Sequence, residues 1–229
     1  MNAQTGLASA REVLENYIAS RALKLDDKQV NQLMDYCAMI LRWNRLTSLV
    51  QVNSAEELVR GHIIDCLAAM HTLTGPNIVD VGSGAGLPGV VIAIAEPDWK
   101  VYLVEAKQKR TRFLAQVQIE LGLDNIEICN TRIEQWRPPQ TPSCITSRAF
   151  SSLKTFYSCC QHLIDTENNE KKDPDGPLLV ALKGRVTDQE LAELGLPAGD
   201  VTVKVLEVPG RDHRHAIMIE STRRPPAEP

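Results

Sequence analysis

The sequence predicts an α/β fold, in which helices cover both faces of a mostly parallel, seven-stranded sheet and a helical extension precedes it. From position 77 onward, short apolar stretches alternate with amphipathic ones, a pattern typical of successive strand–helix–strand units with parallel strands. The last two apolar stretches are joined by "VPGRDHRH", which has no strong helical pattern, so we expect an antiparallel pair at one edge of the sheet. The 229 residues, 43% of them hydrophobic, suffice for one domain with an appended lobe.

Residues 1–75 are predicted to be helical and to pack on the core of the α/β domain. A short helix is expected at 11–21. Two longer helical patterns follow Asp26 and Ser54, and each of these residues has a Gln or Glu three positions later, which predicts capping boxes. The apolar face of the helix after Asp26 consists of Val30, Leu33, Met34, Cys37, Ile40 and Leu41.

Residues 76–221 are expected to form the α/β domain, and residues 222–229 a disordered tail. The strand candidates are 77–81, 100–105, 126–129, 143–147, 178–183, 200–208 and 215–220. The helix candidates are 88–95, 107–121, 132–136, 151–164 and 187–194. The polar segment 166–177 is predicted to be an exposed loop.

Composition limits the possible partners. The net charge of −4 provides no global field for nucleic acid, so any RNA contact must come from local patches. The first residues lack the apolar core of a signal peptide, and no apolar run approaches the ~20 residues of a membrane span. The six cysteines contain no C-x-x-C pair, which is typical of reduced, mostly buried thiols. We therefore expect a cytoplasmic protein, monomeric, without a membrane partner or a metal site.

The stretch "DVGSGAGLPG", residues 80–89, predicts a nucleotide-binding loop. Gly82, Gly84 and Gly86 allow a tight turn and a close approach of the backbone to a ligand. Asp80 stands at the end of one predicted strand and Glu105 at the end of the next. A carboxylate at the position of Glu105 can accept hydrogen bonds from both hydroxyls of an adenosine ribose.

Two adenosine cofactors fit this loop. NAD needs free amides at a helix N-terminus for its pyrophosphate, and Asp80 beside the loop would repel such a group. S-adenosylmethionine has no phosphate, and the chain has no Tyr-x-x-x-Lys pair of the kind that dehydrogenases use. Seven strands ending in a hairpin are also the methyltransferase variant of the doubly wound fold. S-adenosylmethionine is the favoured ligand; NAD, or a loop without a ligand, are the alternatives.

The end of the fourth strand, "ITSRAFSSL", normally faces the methyl acceptor in such folds. It lacks the Asp/Asn-Pro-Pro-aromatic stretch that is typical of enzymes methylating exocyclic amines. Methylation of cytosine C5 needs a cysteine nucleophile, and the nearest thiol, Cys144, stands near the start of the strand. Both chemistries are disfavoured.

Eight stretches spread over roughly residues 25 to 220 carry a specific resemblance to a known family. They are "LRWNRLTS", "HIIDCL", "DVGSGAGLPGVVIAI", "KQKRTRFLAQVQIELGLDNIEI", "TRIEQW", "TSRAFSSL", "ALKG" and "RHAIMI". In this order they resemble the bacterial 16S rRNA guanine-N7 methyltransferase family (RsmG, formerly glucose-inhibited division protein B). The resemblance implies a Rossmann-like fold dependent on S-adenosylmethionine, and methyl transfer to N7 of guanine 527, in the 530 loop of 16S rRNA. The substrate is then 16S rRNA or the 30S subunit.

This acceptor agrees with what the sequence lacks. Guanine N7 has a free lone pair and no proton, so its methylation needs no general base, and alignment of the reactants can supply much of the rate. The alternatives are a methyltransferase acting on a small molecule or on another RNA, and an NAD-binding oxidoreductase.

The resemblance also implies site residues. Arg148, in the S-R-A-F motif, belongs to the cofactor site and is our catalytic candidate. Gly82 and Leu87 are expected to line the cofactor, and Ile133 and Glu134 to flank its adenine. The predicted cofactor set is therefore Asp80, Gly82, Gly84, Gly86, Leu87, Glu105, Ile133, Glu134 and Arg148.

Basic residues near this site are candidates for phosphate contacts. Four are clustered in "KQKRTR", namely Lys107, Lys109, Arg110 and Arg112; the others are Arg42, Arg45, Lys183, Arg185, Arg211 and Arg214. The segment "RGHIIDC" departs from the family by an extra Gly61. One inserted residue turns a helix by ~100°, so Arg60, His62 and Asp65 are predicted only as possible acceptor-side residues.

Overall fold

A seven-stranded sheet runs through the computed structural model of the protein, which describes residues 3–148, 150, 152–164 and 176–220. The strands are β1 (Asn77–Val81), β2 (Lys100–Val104), β3 (Ile126–Cys129), β4 (Cys144–Arg148), β5 (Leu178–Lys183), β6 (Val201–Val205) and β7 (His215–Ile219). Their order is β3-β2-β1-β4-β5-β7-β6. Strands β1 to β5 pair in parallel, whereas β7 is antiparallel to both β5 and β6. The predicted mixed sheet with an antiparallel edge is confirmed.

The helices follow the predicted alternation with the strands. They are α1 (Ala3–Ser20), α2 (Asp27–Asn44), α3 (Ala55–Leu58), α4 (Ile64–Ala69), α5 (Gly89–Ala95), α6 (Gln108–Leu121), α7 (Leu153–Ile164) and α8 (Asp188–Ala192). Short 3-10 turns stand at Met70–Thr72, Ile133–Gln135 and Ala198–Asp200. The predicted short first helix was wrong in length: Leu7 and Ala10 continue the helical stripe of Leu14 and Tyr17, and all four pack in the core.

The helical run that contains α3 and α4 changes its pitch in the middle. Val59–Ile63, between these two helices, form a π-helical turn, in which each turn holds one residue more than an α-helix does. Gly61, which the family resemblance predicts to be an extra residue, lies in this turn. Both flanking helices keep regular backbone angles, so the run continues without a break.

The capping predictions for the two long helical patterns have different outcomes. At the start of α2, Gln29 N donates to Asp26 Oδ1 and Asp26 N donates to Gln29 Oε1, both at 2.8 Å, so the capping box is confirmed. At the start of α3, Glu57 N donates to Ser54 Oγ at 3.1 Å, but the Glu57 carboxylate accepts from Asn53 N instead. The second box is therefore only half formed.

The two faces of the sheet bury separate apolar clusters. Neighbouring residues of one strand alternate between them: Ile78 joins the cluster under the N-terminal helices, and Val79 the opposite cluster under α7. Ile63 of the π-helical turn belongs to the same cluster as Ile78. The N-terminal helical region thus shares its core with one face of the sheet. The described helices include none with the length and apolarity needed to span a membrane, and the predicted loop 166–177 and tail 222–229 lie largely or wholly outside the described residues.

The carboxyl ends of the parallel strands meet at one edge of the sheet, where open α/β sheets bind their ligands. Glu105 follows β2, and Arg148 and Lys183 end β4 and β5. The glycine loop follows β1 at the same edge. The sheet therefore brings the predicted cofactor residues and Arg148 to one side of the molecule.

Tyr36 of α2 connects the N-terminal helices to the glycine loop. Its side chain is fully buried, and its hydroxyl donates to the Ala85 carbonyl at 2.5 Å. A Cβ on Gly86 would lie 3.1 Å from that hydroxyl and 2.5 Å from Val90 Cγ2. The loop can therefore pack against α2 and α5 only because residue 86 is glycine, in a backbone conformation with φ +90° that favours glycine.

We predict that Tyr36→Phe lowers the free energy of unfolding by ~1–3 kcal/mol, because the buried Ala85 carbonyl loses its donor. Urea denaturation measures this change. Tyr157→Phe is the matched control, since Tyr157 is partly exposed and its hydroxyl makes no hydrogen bond within the described residues. Equal effects of the two substitutions would contradict the role of Tyr36.

Candidate cofactor and acceptor site

The glycine loop presents two glycines to open space. Gly82 and Gly84 have φ +69° and +59°. A Cβ built on Gly82 would meet nothing closer than Phe150 at 3.9 Å, and one on Gly84 nothing closer than a backbone oxygen at 3.7 Å. The loop is tied back to β2, because Gly82 N and Ser83 N donate to the Val104 carbonyl at 2.8 and 3.2 Å. A ligand can thus approach the backbone closely at these two positions.

Gly86 and Leu87 are predicted beside the cofactor, but in the structure both pack toward the core. Gly86 packs against Val90 and Tyr36, and Leu87 is 4% exposed within the core. Their amides close the loop on itself by donating to the Ser83 carbonyl at 2.6 and 3.2 Å. In this structure both residues shape the loop, and their contact with a cofactor stays a prediction.

Asp80 lies beneath the loop and does not face its open side. The residue is fully buried, and its Oδ2 accepts from Gly89 N, the first amide of α5, at 3.0 Å. Burial raises the pKa of Asp80 to about 7, although the Gly89 amide and the Ser83 side chain oppose the shift. The sequence predicted that the charge of Asp80 would repel a phosphate. In the structure, Asp80 instead occupies the first amide of α5, a group that a pyrophosphate would require. A direct contact between Asp80 and a cofactor stays a prediction.

Glu105 joins the end of β2 to the glycine loop. Its Oε2 accepts from Gly84 N at 2.9 Å and from Arg110 Nη1 at 3.3 Å, and its Oε1 accepts from Lys107 N at 2.8 Å. The residue is 4% exposed. Since a carboxylate has about four acceptor positions, the long contact to Arg110 is the one that must yield if Glu105 accepts both hydroxyls of a ribose.

Ile133 and Glu134, predicted beside the adenine, follow β3 at the same edge. Ile133 is buried in the cluster that contains Tyr102, and Glu134 is exposed. The Cys159 thiol donates to Glu134 Oε1 at 3.2 Å, and hydrogen bonds from the Glu134 backbone and Cys159 lower the pKa of Glu134. An apolar side chain and a carboxylate are thus available there for an adenine.

Arg148 is brought together with two of the three possible acceptor-side residues. Its Nη1 donates to His62 Nδ1 at 2.7 Å and lies 3.8 Å from Asp65 Oδ2. Arg214 Nε lies 3.0 Å from Asp65 Oδ1, so Asp65 pairs with two guanidinium groups. Arg60, the third, points elsewhere and pairs with Glu56 at 2.9 Å. His62, in the π-helical turn, and Asp65, near the start of α4, therefore both reach Arg148.

His62 is neutral in this arrangement. Burial and, to a smaller extent, the neighbouring Arg148, Arg211 and Arg214 together lower the pKa of His62 to about 3. Burial raises the pKa of Asp65, against the effect of these arginines. Because a guanidinium only donates hydrogen bonds, His62 Nδ1 is the acceptor and its proton resides on Nε2.

Several predicted RNA-contact residues are already paired with acids. Arg110 pairs with Glu105, Arg42 with Glu120, and Lys183 with Glu190. Two contacts were not predicted from the sequence: the hydrogen bond from Tyr36 to the Ala85 carbonyl, and the ion pair between Arg214 and Asp65. Tyr36 stands on the apolar face of α2 at helical spacing from Leu33 and Ile40, but the pattern does not show what its hydroxyl binds.

The fold and the site together define a Rossmann-like α/β protein with an open glycine loop at the carboxyl edge of its parallel strands. The computed structure is similar to magnesium protoporphyrin IX methyltransferase from Synechocystis PCC 6803, solved with bound S-adenosylmethionine, with a TM-score of 0.52 and 17% identity over 86% of this chain and 97% of that one. A second similar structure, a SAM-dependent methyltransferase from Aquifex aeolicus, has a TM-score of 0.51 and 18% identity, over 72% of this chain and 93% of that one. At these identities, the likeness supports the fold alone.

Sequence comparison gives the family. The model of the family described as rRNA small subunit methyltransferase G (GidB) matches residues 29–215. The protein named ribosomal RNA small subunit methyltransferase G in Nitrosospira multiformis is 37% identical over 96% of this chain and 98% of its own length. Its namesake in Herminiimonas arsenicoxydans is 40% identical over 87% of this chain and 90% of its own. The chain belongs to this family.

Family membership decides between the cofactors that the loop left open. The chain is a methyltransferase, its cofactor is S-adenosylmethionine, and the alternative of an NAD-binding oxidoreductase is not supported. The residues fit this cofactor, because the open glycines 82 and 84 lie beside the acceptor oxygens of Glu105.

We predict that Glu105→Gln weakens binding of S-adenosylmethionine by roughly 10- to 100-fold. The amide nitrogen of Gln cannot accept a hydrogen bond from a ribose hydroxyl, and a hydrogen bond to a charged group contributes ~1.5–3 kcal/mol. Isothermal titration calorimetry measures the affinity. Glu127→Gln is the control, since Glu127 is an exposed residue of β3 that pairs with Lys100 at 3.5 Å. Unchanged affinity in Glu105→Gln would remove this carboxylate from the cofactor site.

We predict that the buried Asp80 makes stability depend on pH. Its pKa is about 7 in the folded state and 3.8 without burial, so the unfolded chain releases this proton first. The contribution of Asp80 to stability is therefore fully present below about pH 4 and is lost progressively as the pH rises toward 7. Urea denaturation at several pH values should show Asp80→Asn gaining stability relative to the parent protein over this range. A constant difference between the two proteins would contradict the shifted pKa.

Proposed function

We propose that this protein transfers the methyl group of S-adenosylmethionine to N7 of guanine 527, in the 530 loop of 16S rRNA. The reaction class follows from the family, and the relatives' names specify ribosomal RNA of the small subunit. We further propose that the protein acts as a monomer in the cytoplasm, on 16S rRNA or on the 30S subunit.

The observation that carries the choice of N7 is the occupied lone pair of His62. This histidine is the imidazole beside Arg148, and its Nδ1 already accepts from Arg148 Nη1 at 2.7 Å. With its pKa lowered to about 3, His62 is not available as a general base near neutral pH. Within the described residues, the imidazole beside Arg148 is thus no base for an acceptor that must lose a proton, whereas N7 of guanine has no proton to lose.

Two buried thiols do not favour attack on a pyrimidine carbon, namely Cys66, next to Asp65 in α4, and Cys144, at the start of β4. Cys66 and Cys144 are fully buried, and burial raises the pKa of both to about 12. A nucleophilic cysteine requires an accessible, low-pKa thiol. The chemistry left to the protein is alignment of a lone pair with the donor.

Bound S-adenosylmethionine supplies an electrophilic methyl group on a sulfonium centre. The open glycines at 82 and 84 and the Glu105 carboxylate would hold it at the end of β1 and β2. Arg148, oriented by His62 and paired with Asp65, would donate hydrogen bonds to guanine O6 or to the carboxylate of the donor. A guanidinium that covers N7 would block the reaction, so a contact to N7 is excluded.

We predict that Arg148→Ala loses most methyl transfer while the protein still folds. The assay uses 16S rRNA and 30S particles from cells that lack the enzyme, incubated with labelled S-adenosylmethionine and mapped by chain cleavage at 7-methylguanine. Cleavage at guanine 527 with the parent protein is the expected result; label without cleavage there would overturn the proposed position. Full activity of Arg148→Ala would remove Arg148 from the mechanism.

Measuring donor affinity in the same variant separates the two roles of Arg148. If Arg148 binds O6, Arg148→Ala keeps its affinity for S-adenosylmethionine and loses transfer. If Arg148 binds the donor carboxylate, both decrease together. Arg11→Ala is a matched control, because Arg11 pairs with Glu15 on α1.

A further inference from the structure

The surface beside Arg148 has more positive than negative charge. The guanidinium groups of Arg148, Arg211 and Arg214 all act on His62, and the same three act on Asp65. Asp65 is the acid paired with Arg148 and Arg214. With His62 neutral, the three arginines and one aspartate leave an excess of two positive charges in a partly buried cluster.

Two glycines make room for the arginines of the β6–β7 connection. A Cβ on Gly61, in the π-helical turn, would lie 2.3 Å from Arg211 Nη2. A Cβ on Gly184, just after β5, would lie 3.1 Å from Arg214 Nη1. Arg211 therefore rests against bare backbone at the position where the helical run contains its extra residue.

Arg211 differs from most other arginines near the site. Arg42, Arg60 and Arg110 each pair with an acid at 2.8 to 3.3 Å. Within the described part of the chain, the Arg211 side chain makes no hydrogen bond or ion pair. Arg211 also lines an open groove between residues 54–60 and 209–211.

Neither acid of this groove pairs with Arg211, because both carboxylates accept hydrogen bonds from other residues. Glu56 accepts from Arg60 Nε at 2.9 Å, and Glu57 accepts from Asn53 N at 2.8 Å. The groove thus leads from solvent to a guanidinium whose charge has no acidic partner among the described residues.

Arg214 and Asp65, in the same cluster, also have hydrogen-bonding atoms without a partner. Arg214 Nε and Asp65 Oδ1 are buried 3.0 Å apart, yet neither has a hydrogen-bond partner of normal geometry within the described residues. Their contact is an ion pair without a well-directed hydrogen bond. His62 adds a donor, because its Nδ1 is used by Arg148 and its proton is on Nε2.

We propose that Arg211, with Arg214 and His62, binds a phosphate group of the RNA, and that the glycine at position 61 opens this site. The proposal rests on the proposed RNA substrate. Guanidinium groups suit phosphate because their planar N–H donors match its oxygens. The site would fix the RNA backbone beside the target base, and Arg148 would remain free to act on the base or the donor.

The test compares Arg211→Ala with the parent protein in binding to 16S rRNA over a range of salt concentrations. Loss of one phosphate contact should reduce the slope of log affinity against log salt by about 0.7–0.9. We expect the Kd for RNA and the KM for RNA to rise about tenfold, with kcat and donor affinity unchanged. An RNA affinity and salt slope equal to those of the parent protein would overturn the proposal.

Arg11→Ala serves as the control in this comparison as well. Arg11 Nη2 donates to Asn31 of α2, and the neighbouring Gln29 donates to the Ile94 and Ala95 carbonyls at the end of α5. That end of α5 lies at the opposite edge of the sheet from the glycine loop. Arg11→Ala removes the same charge and should leave the salt slope unchanged; an equal fall in both variants would mean that only net charge matters and would refute a specific site.

The role of the glycine is tested by a double-mutant cycle. Gly61→Ala should displace the Arg211 side chain and weaken RNA binding, although Ala favours a helix more than Gly does. If the effect acts through Arg211, the double variant Gly61→Ala/Arg211→Ala binds RNA like Arg211→Ala alone. Additive losses would refute the proposed role of the glycine.

A measurement with inorganic phosphate separates this proposal from the proposed methylation. Nitrogen NMR of histidine-labelled protein, with His62 assigned by His62→Gln, should show a phosphate-dependent shift of Nε2 that Arg211→Ala abolishes. That result supports the site even if guanine 527 is not the target. If the Nε2 signal of His62 in the parent protein does not shift at phosphate concentrations up to ~0.1 M, the proposed phosphate site is overturned even if guanine 527 is methylated.

Discussion

The glycine loop is held in place by polar side chains that are themselves buried, and the rest of the site depends on this. Tyr36 donates to the Ala85 carbonyl, Glu105 accepts from Gly84 N, and Asp80 accepts from Gly89 N. Each bond reaches the loop from a different element: α2, the end of β2, and the end of β1. Because an unpaired buried polar group is costly, the three bonds restrict the loop to one arrangement. The open face at Gly82 and Gly84 is preorganised for a ligand as a result.

The cluster around His62 differs from the glycine loop in how its buried charges are paired. Side chains from neighbouring elements pair with the backbone amides and carbonyls of the glycine loop, whereas Arg148 and Arg214 share one carboxylate, Asp65, and Arg211 has no acidic partner among the described residues. The neutral His62 sits among these cations because burial and their positive field both oppose its protonation. The molecule thus presents a glycine loop with the Glu105 carboxylate next to a cluster that has an excess of positive charge, even though its net charge is −4.

Much of the fold was predictable because it depends on local patterns. The alternation of strand and helix patterns predicted the parallel sheet, and the lack of a helical pattern in "VPGRDHRH" predicted its antiparallel edge. Contacts between distant segments were not predictable in the same way. The stripe formed by Leu7, Ala10, Leu14 and Tyr17 became clear only from its packing, and the long-range partner of Tyr36 is not encoded in its neighbours. Within the site, the positions of Glu105 and Arg148 followed from strand ends, but the inward orientation of Asp80 depends on packing around α5. The π-helical turn was missed because an α-helical repeat was assumed.

The position of β7 within the sheet has a consequence for the arginines that precede it. This strand is among the last described residues of the chain, yet it lies between β5 and β6 and is followed by no later strand in the described sequence. Arg211 and Arg214 directly precede it, so the pairing of β7 with β5 holds them near His62. A change that loosened β7 from β5 would therefore withdraw both guanidinium groups from His62. The glycine loop is built on the earlier strands β1 and β2, so its own bonds would remain.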